Sequence, residues 1–102
     1  MYRGTTPKIV FRLRGIKVGE LKKIFVTFKQ SSVEIEKGAE NIDTEINSLQ
    51  CTFTQEETLQ FDADERLYVQ LRAITKDGSA IASGIASIYV ADILKDGVIT
   101  DD

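Results

Sequence analysis

Sixteen carboxylates, thirteen cationic side chains, one thiol and no histidine are what this chain of 102 residues offers to chemistry. Without an imidazole it lacks the usual near-neutral general base, the commonest metal ligand and the middle member of a Ser-His-Asp or Cys-His arrangement. Cys51 alternates with apolar neighbours and reads as a small buried hydrophobe, not a nucleophile. A single thiol also excludes an intrachain disulfide and a cysteine-rich zinc cluster. Glu56, Glu57, Asp62, Asp64 and Glu65 carry the hard oxygens that calcium takes, but their spacing lacks the calcium loop with its central glycine. Beside a helix start such acids are better read as solvated groups favoured by the helix dipole. No sequence rule picks a glycosidase pair out of the remaining carboxylates. Gly78 and Gly97 follow aspartates and serve turns, not a phosphate cradle. These residues predict no enzyme, no catalytic group, no metal and no cofactor.

Charge excludes further classes. The formal net charge is −3, which disfavours nucleic acid, since backbone affinity comes from clustered cations displacing counterions. Residues 1–30 nevertheless hold eight bases against one acid, and residues 31–65 hold ten acids against one base, Lys37. Two readings follow: a bipolar surface suited to head-to-tail association or an anionic partner, or a sheet in which Lys29 or Arg12 faces Glu34 or Glu36 and the field cancels. Cancellation is the reading favoured here. The N-terminus lacks an apolar leader core, and the longest weakly polar stretch, 85–91, falls far short of the ~20 residues a spanning helix needs. No membrane partner is expected, and synthesis in a reducing cytoplasm suits the lone thiol.

Period-two alternation organises the rest. Ile9, Phe11 and Leu13 share one side of a first strand, after a proline that suits an edge. Ile24, Val26 and Phe28 form the inner side of a second strand, leaving Phe25 outside; 33–37 is its hairpin partner. A fourth strand is predicted over about 45–54, with Leu49, Cys51 and Phe53 at one parity. Thr54-Gln55-Glu56-Glu57 matches a capping box, so one or two helical turns can follow. Residues 66–75 alternate most strongly, with Leu67, Val69, Leu71 and Ala73 opposite Tyr68, Gln70, Arg72 and Ile74. Asp77-Gly78 then signals a hairpin into a returning strand over 80–91. Ile88 and Val90 read as internal. Ala82, Gly84 and Ala86 are placed on the same inner face, where their small size predicts that something bulky crosses over them.

Six or seven short strands with at most one short helical turn predict an all-β fold, an antiparallel immunoglobulin-like β-sandwich in one domain over 1–102. Such a fold leaves the outer skin for function. Tyr2, Phe25, Tyr68 and Tyr89 fall at out-facing parity or at a terminus, and contiguous exposed aromatics mark interfaces. Ile93, Leu94, Val98 and Ile99 form an apolar segment beyond the last sandwich strand, over about 93–102, which suits addition to another subunit's sheet.

The termini carry a resemblance. Met1-Tyr2-Arg3-Gly4-Thr5-Thr6-Pro7-Lys8 and Ile93-Leu94-Lys95-Asp96-Gly97-Val98-Ile99 resemble a group of small proteins encoded in prophages of Firmicutes. So do the interior stretches 25–30, 54–61 and 69–72. The resemblance implies a virion tail or baseplate component, with a fold similar to the N-terminal domains of phage baseplate upper proteins, partnered by other tail proteins or by itself and located in the virion. It supplies no catalytic residues. The alternative expectation is a carbohydrate- or cell-surface-binding sandwich, against which the absence of tryptophan counts.

Overall fold

In this computed structural model, which describes residues 1–101, the chain forms two antiparallel sheets laid face to face. The strands are β1 (Lys8–Arg12), β2 (Leu21–Gln30), β3 (Val33–Lys37), β4 (Ile42–Thr44), β5 (Ser48–Thr52), β6 (Glu65–Thr75), β7 (Ala80–Ala82) and β8 (Ala86–Val90). One α-helical turn, α1 (Gln55–Leu59), follows β5, and single 3-10 turns occupy Val18–Glu20 and Ala39–Asn41. The smaller sheet has the order β1-β5-β4; the larger runs β3-β2-β6-β7, with β8 also paired to β6. The chain passes from one sheet to the other after β1, β3 and β5, so each local hairpin is tied to the opposite layer.

Alternation decides what lies between the layers. Val26 and Phe28 of β2, Leu67, Val69, Leu71 and Ala73 of β6, and Leu49 and Cys51 of β5 are all buried. Phe53 and Phe61, just beyond β5 and α1, complete the interior, and Ile9, Phe11 and Leu13 close it from the β1 side. Four rings form a continuous ladder. Phe28 meets Phe11 at 6.3 Å and Phe53 at 4.7 Å, and Phe53 meets Phe61 edge-on at 6.0 Å. Edge-to-face contacts of this kind add roughly 0.5–1.5 kcal/mol each beyond the area they bury.

Local chemistry makes the connections. The β2–β3 hairpin turns on Ser31-Ser32, with Ser31 at φ 51°, and sets Gln30 opposite Val33. Gly78 sits at φ 93° in the β6–β7 turn, where Asp77 accepts from the hydroxyl of Thr75 and the amide of Ser79. The capping box forms as the sequence predicts. The Thr54 hydroxyl accepts from the amide of Glu57 at 3.1 Å, and the Glu57 carboxylate accepts from the amide of Thr54 at 2.9 Å.

Several expectations are corrected. The strand predicted over 45–54 shortens to β5, because residues 45–47 form the turn that joins it to β4; Ile42–Thr44, ahead of the predicted span, is a strand that turn-forming neighbours concealed. Eight strands stand where six or seven were expected, and the two 3-10 turns add to α1. The returning strand breaks into β7 and β8. β6 pairs Arg72 with Ala82 but Val69 with Ala86, so one extra residue is inserted between them. The Ser83 hydroxyl accepts from the Leu71 amide in the gap, and the Ser83 amide donates to the Leu71 carbonyl. Such a bulge shifts the alternation by one. Ala82 therefore sits with Arg72 on the outer face and Ala86 with Val69 on the inner, and Ala82, Gly84 and Ala86 are all exposed with nothing crossing over them. Arg12 lies in the smaller sheet, so it cannot oppose Glu34 or Glu36. Lys29 does oppose Glu34 in register, yet among the described residues the ion pairs are Arg3–Asp92, Arg3–Asp96 and Lys37–Glu57.

The two faces of β6 are separable by neighbouring truncations. Leu67→Ala removes a fully buried side chain and should cost about 2–5 kcal/mol in urea unfolding. Tyr68→Ala removes a half-exposed ring and should cost about 1 kcal/mol or less. The reverse order would mean that β6 presents the other face to the core.

Candidate interaction surface

The residues expected to form a contact surface divide into two groups. Phe25, Tyr68 and Tyr89 stand on the outer face of the larger sheet, on β2, β6 and β8. Tyr68 lies opposite Ser87 and Arg66 opposite Tyr89, which makes the two tyrosines diagonal neighbours. Phe25 lies opposite Arg72, two steps along β6 from Tyr68 on the same face, so it starts a separate patch. Around it Ile74, Ala80, Thr27 and Glu36 line a shallow concavity of about 210 Å³. Around Tyr68 a second one of about 260 Å³ is lined by Lys29, Glu34, Gln70 and Ile85. Both are below the ~300 Å³ at which small-molecule pockets usually begin.

Within this face the aromatics differ in freedom. Tyr68 is 52 % exposed and makes no side-chain hydrogen bond among the described residues. Tyr89 donates its hydroxyl to Asp64 at 2.8 Å, and that bond to a carboxylate holds the phenol above its ordinary pKa. Ile74 and Ile85 also emerge on this face. Parity signalled Ile74 once β6 was placed. Ile85 has the outward parity of Tyr89, which alternation supplied without singling it out, and it is 68 % exposed.

The second group gathers where the chain ends meet. Tyr2 pairs in parallel with Ala91, where the amide of Arg3 donates to the Ala91 carbonyl and the amide of Ala91 to that of Met1. Arg3 then acts as a clasp. Its guanidinium donates to the carbonyls of Phe61 at 2.7 Å and Leu59 at 2.9 Å, and to the carboxylates of Asp96 at 2.7 Å and Asp92 at 3.2 Å. Ile93 is half-buried beside Gly4, which Leu59 also approaches. The segment beyond it does not project freely: the Gln55 side chain pairs with both backbone groups of Ile99 at 2.7 and 3.0 Å. Leu94, Val98 and Ile99 keep their side chains in water, Leu94 entirely. Asp102, the last residue of the predicted segment, lies outside the described residues.

One interior cluster brings together a lysine, a carboxylate and the thiol. Lys37, the last residue of β3, is only 7 % exposed; its ammonium donates to both Glu57 oxygens at 2.9 and 2.7 Å and lies 5.1 Å above the Phe53 ring. Burial pushes the Glu57 carboxyl up, but the bonds from Lys37 and Thr54 outweigh it, and the group sits below its ordinary value. Burial likewise pushes the Cys51 thiol up to about 11, with Lys37 pulling back only partly. A thiol kept protonated and an ammonium already engaged make poor nucleophiles. What they do instead is close the sandwich end. Lys37 shares the inward parity of Val33 and Ile35, so alternation pointed it toward the interior; its charge is why sequence reasoning passed it over. Of the acidic run, Glu57 turns inward to Lys37 and Asp64 accepts from Tyr89, so it does not form one cluster.

Among the described residues no helix is long and apolar enough to cross a membrane. Comparison with family models, curated proteins and solved structures found no match for this chain.

The Lys37–Glu57 pair gives stability a pH dependence of known sign. A carboxyl whose folded pKa lies below its unfolded value stabilises above the unfolded pKa, near 4.3, and loses that contribution as pH falls through the folded one. Urea midpoints of the wild type should therefore fall on acidification below about pH 4.5, and Glu57→Gln should be less stable at pH 7 with a flatter acid limb. Cys51 should resist alkylation at pH 8 in the native state and react fully in urea; rapid native labelling would contradict its burial.

Proposed function

We propose that this chain is a structural and interaction module, a β-sandwich that works by protein–protein assembly in a phage tail or baseplate. The observation that carries the reading is where apolar groups remain open. The interior is filled, while Phe25, Tyr68, Ile74, Ile85 and Tyr89 stand on one outer sheet face and Leu94, Val98 and Ile99 on a strap across one end. A monomer that never met a partner would have little reason to hold the Tyr68–Tyr89 pair, Phe25 and these aliphatic side chains in water. The tail setting comes from the resemblance of both termini and three interior stretches to prophage-encoded proteins. Its weight is increased by the Arg3 clasp, which gives the residues of the two resembling ends a shared structural task.

An immunoglobulin-like topology suits the same reading. The order β1-β5-β4 corresponds to strands B-E-D of that pattern, and β3-β2-β6 followed by β7 and β8 corresponds to C′-C-F-G. The carbohydrate-binding alternative has less behind it. The concavities beside Phe25 and Tyr68 on the outer face are each lined by one aromatic ring, and neither reaches the ~300 Å³ at which small-molecule pockets usually begin.

The test is physical location. Particles released by prophage induction from the encoding strain should contain the chain at a fixed copy number, measured by quantitative mass spectrometry of purified tails. Its absence from tails and from their assembly intermediates would remove the tail reading. Leu94→Ser with Ile99→Ser should lower incorporation severalfold while leaving the urea midpoint within about 0.5 kcal/mol of wild type, because both side chains are already in water.

A further inference from the structure

We infer that β7 is a pairing edge for a second copy of this chain, which docks antiparallel about a two-fold axis at Ile81 and joins the two larger sheets into one. The inference rests on the assembly reading above and names its geometry.

Backbone direction comes first. β7 ends the larger sheet, and its register sets Ala80 opposite Ile74, Ile81 opposite Ala73 and Ala82 opposite Arg72. Thr75 donates to the Ser79 carbonyl at 2.9 Å and Ser83 to the Leu71 carbonyl at 2.8 Å, which marks the pairs that exchange hydrogen bonds across this hairpin. In an antiparallel ladder such pairs alternate with pairs that exchange none. Ala73 and Ile81 therefore bond one another, while Ala80 and Ala82 turn their N–H and C=O groups to the open side. Two residues spaced by two, each offering a donor and an acceptor, are what a further antiparallel strand requires.

Chemistry then favours a copy of the same strand. From Gly78 to Ala91 there is no charged residue, and Ala80, Ile81 and Ala82 are all exposed. The open edges of β3, β1 and β4 are guarded by charge: Glu34 and Glu36 on β3, Lys8 and Arg12 on β1, and Asp43 on β4. The edge of β8 near Ala91 is already covered by Met1 to Arg3. Charged edges oppose strand addition, and this uncharged one does not.

A two-fold axis at Ile81 sets Ala80 of each copy against Ala82 of the other. Two such pairs, each exchanging two bonds, give four backbone hydrogen bonds, with Ile81 facing its own copy. Gly78 comes opposite Gly84, around which a side chain would meet nothing within 4 Å, so the turn has room. No like charges meet. On the outer face the Phe25–Arg72–Ala82 row runs on into Ala80 and Ile74 of the copy, which adds apolar side chains beyond Arg72 beside the Phe25 concavity. The bulge at 83–85 ends the pairing on one side and the turn ends it on the other. The contact is short, and association is correspondingly weak until other surfaces hold the copies close.

Sedimentation equilibrium of the full chain tests this, over concentrations up to about 1 mM, the weak end of specific association. The expected result is a mass rising from monomer toward dimer. Ala80→Lys with Ala82→Lys sets like charges opposite each other and should weaken the dimer about tenfold or more, as should Ala80→Glu with Ala82→Glu. Both positions are exposed, so unchanged urea midpoints keep the comparison clean. An equimolar mixture of the two variants should dimerise again, because the lysines of one then face the glutamates of the other. A wild type that stays monomeric throughout overturns the pairing, and so does a dimer indifferent to all three arrangements. A monomer that is still built into tail particles overturns the pairing alone; a dimer absent from such particles overturns the tail setting and supports the pairing.

Discussion

Phe53 is the point at which the parts of this protein are held to one another. Its ring, 1 % exposed, takes the edge contact of Phe28 from the larger sheet on one side and of Phe61 from beyond α1 on the other. Its amide donates to the Pro7 carbonyl ahead of β1, and the Lys37 ammonium at the end of β3 lies over its face. Both sheets, the helical turn and an edge strand therefore converge on one side chain. The sandwich has no disulfide to constrain its unfolded state, so it relies on apolar burial, to which the aromatic ladder adds ring-to-ring contacts.

Polar groups at that end are arranged to be tolerated beside grease. A lysine taken out of water is costly unless paired, and Glu57 supplies the pair, itself fixed in place by the capping box with Thr54. Buried Gln30 makes a comparable closure, exchanging hydrogen bonds with the backbone of Asp62 at 2.6 and 3.0 Å. Buried Thr58 donates to the Thr5 carbonyl. Each of these contacts joins α1 or the residues beside it to a distant part of the chain. The short helix is thus less an element in its own right than a knot at which β3, both chain ends and the β5–β6 crossover are secured. The opposite face of the larger sheet has no such closure, and it is there that rings and an uncharged edge remain open.

The strands with one buried face were legible from alternation alone. β1, β2, β3 and β6 fall close to their predicted spans with the predicted residues inside, because burying one face of a strand forces period two on its sequence. The capping box was legible for a different reason: its two hydrogen bonds lie within four residues. The failures share a cause as well. β4 is three residues long, too short to show a period, and the bulge between β7 and β8 shifts parity without changing composition. Ala82, Gly84 and Ala86 therefore looked like one small-residue face when Ala82 and Ala86 lie on opposite sides. Of the surface residues, Tyr68, Tyr89 and Ile85 were all readable as outward from parity, while the exact register between β6 and β8 depends on the bulge as well as on the Asp-Gly turn.

The amino-acid sequence by itself determined that this is an all-β protein, which side chains fill it, where its tight turns fall and that it lacks an imidazole to work with. Those properties are written in local periods and in residue type, and each depends on neighbours a few positions away. Only the tertiary structure decided that Lys37 is buried on Phe53, that Arg3 binds the helix end to the C-terminal segment, and that β7 is an open edge without charge. Such facts depend on which segments end up side by side, and partners 58 or 93 residues apart, such as Arg3 with Phe61 and Asp96, leave no periodic trace in the chain between them.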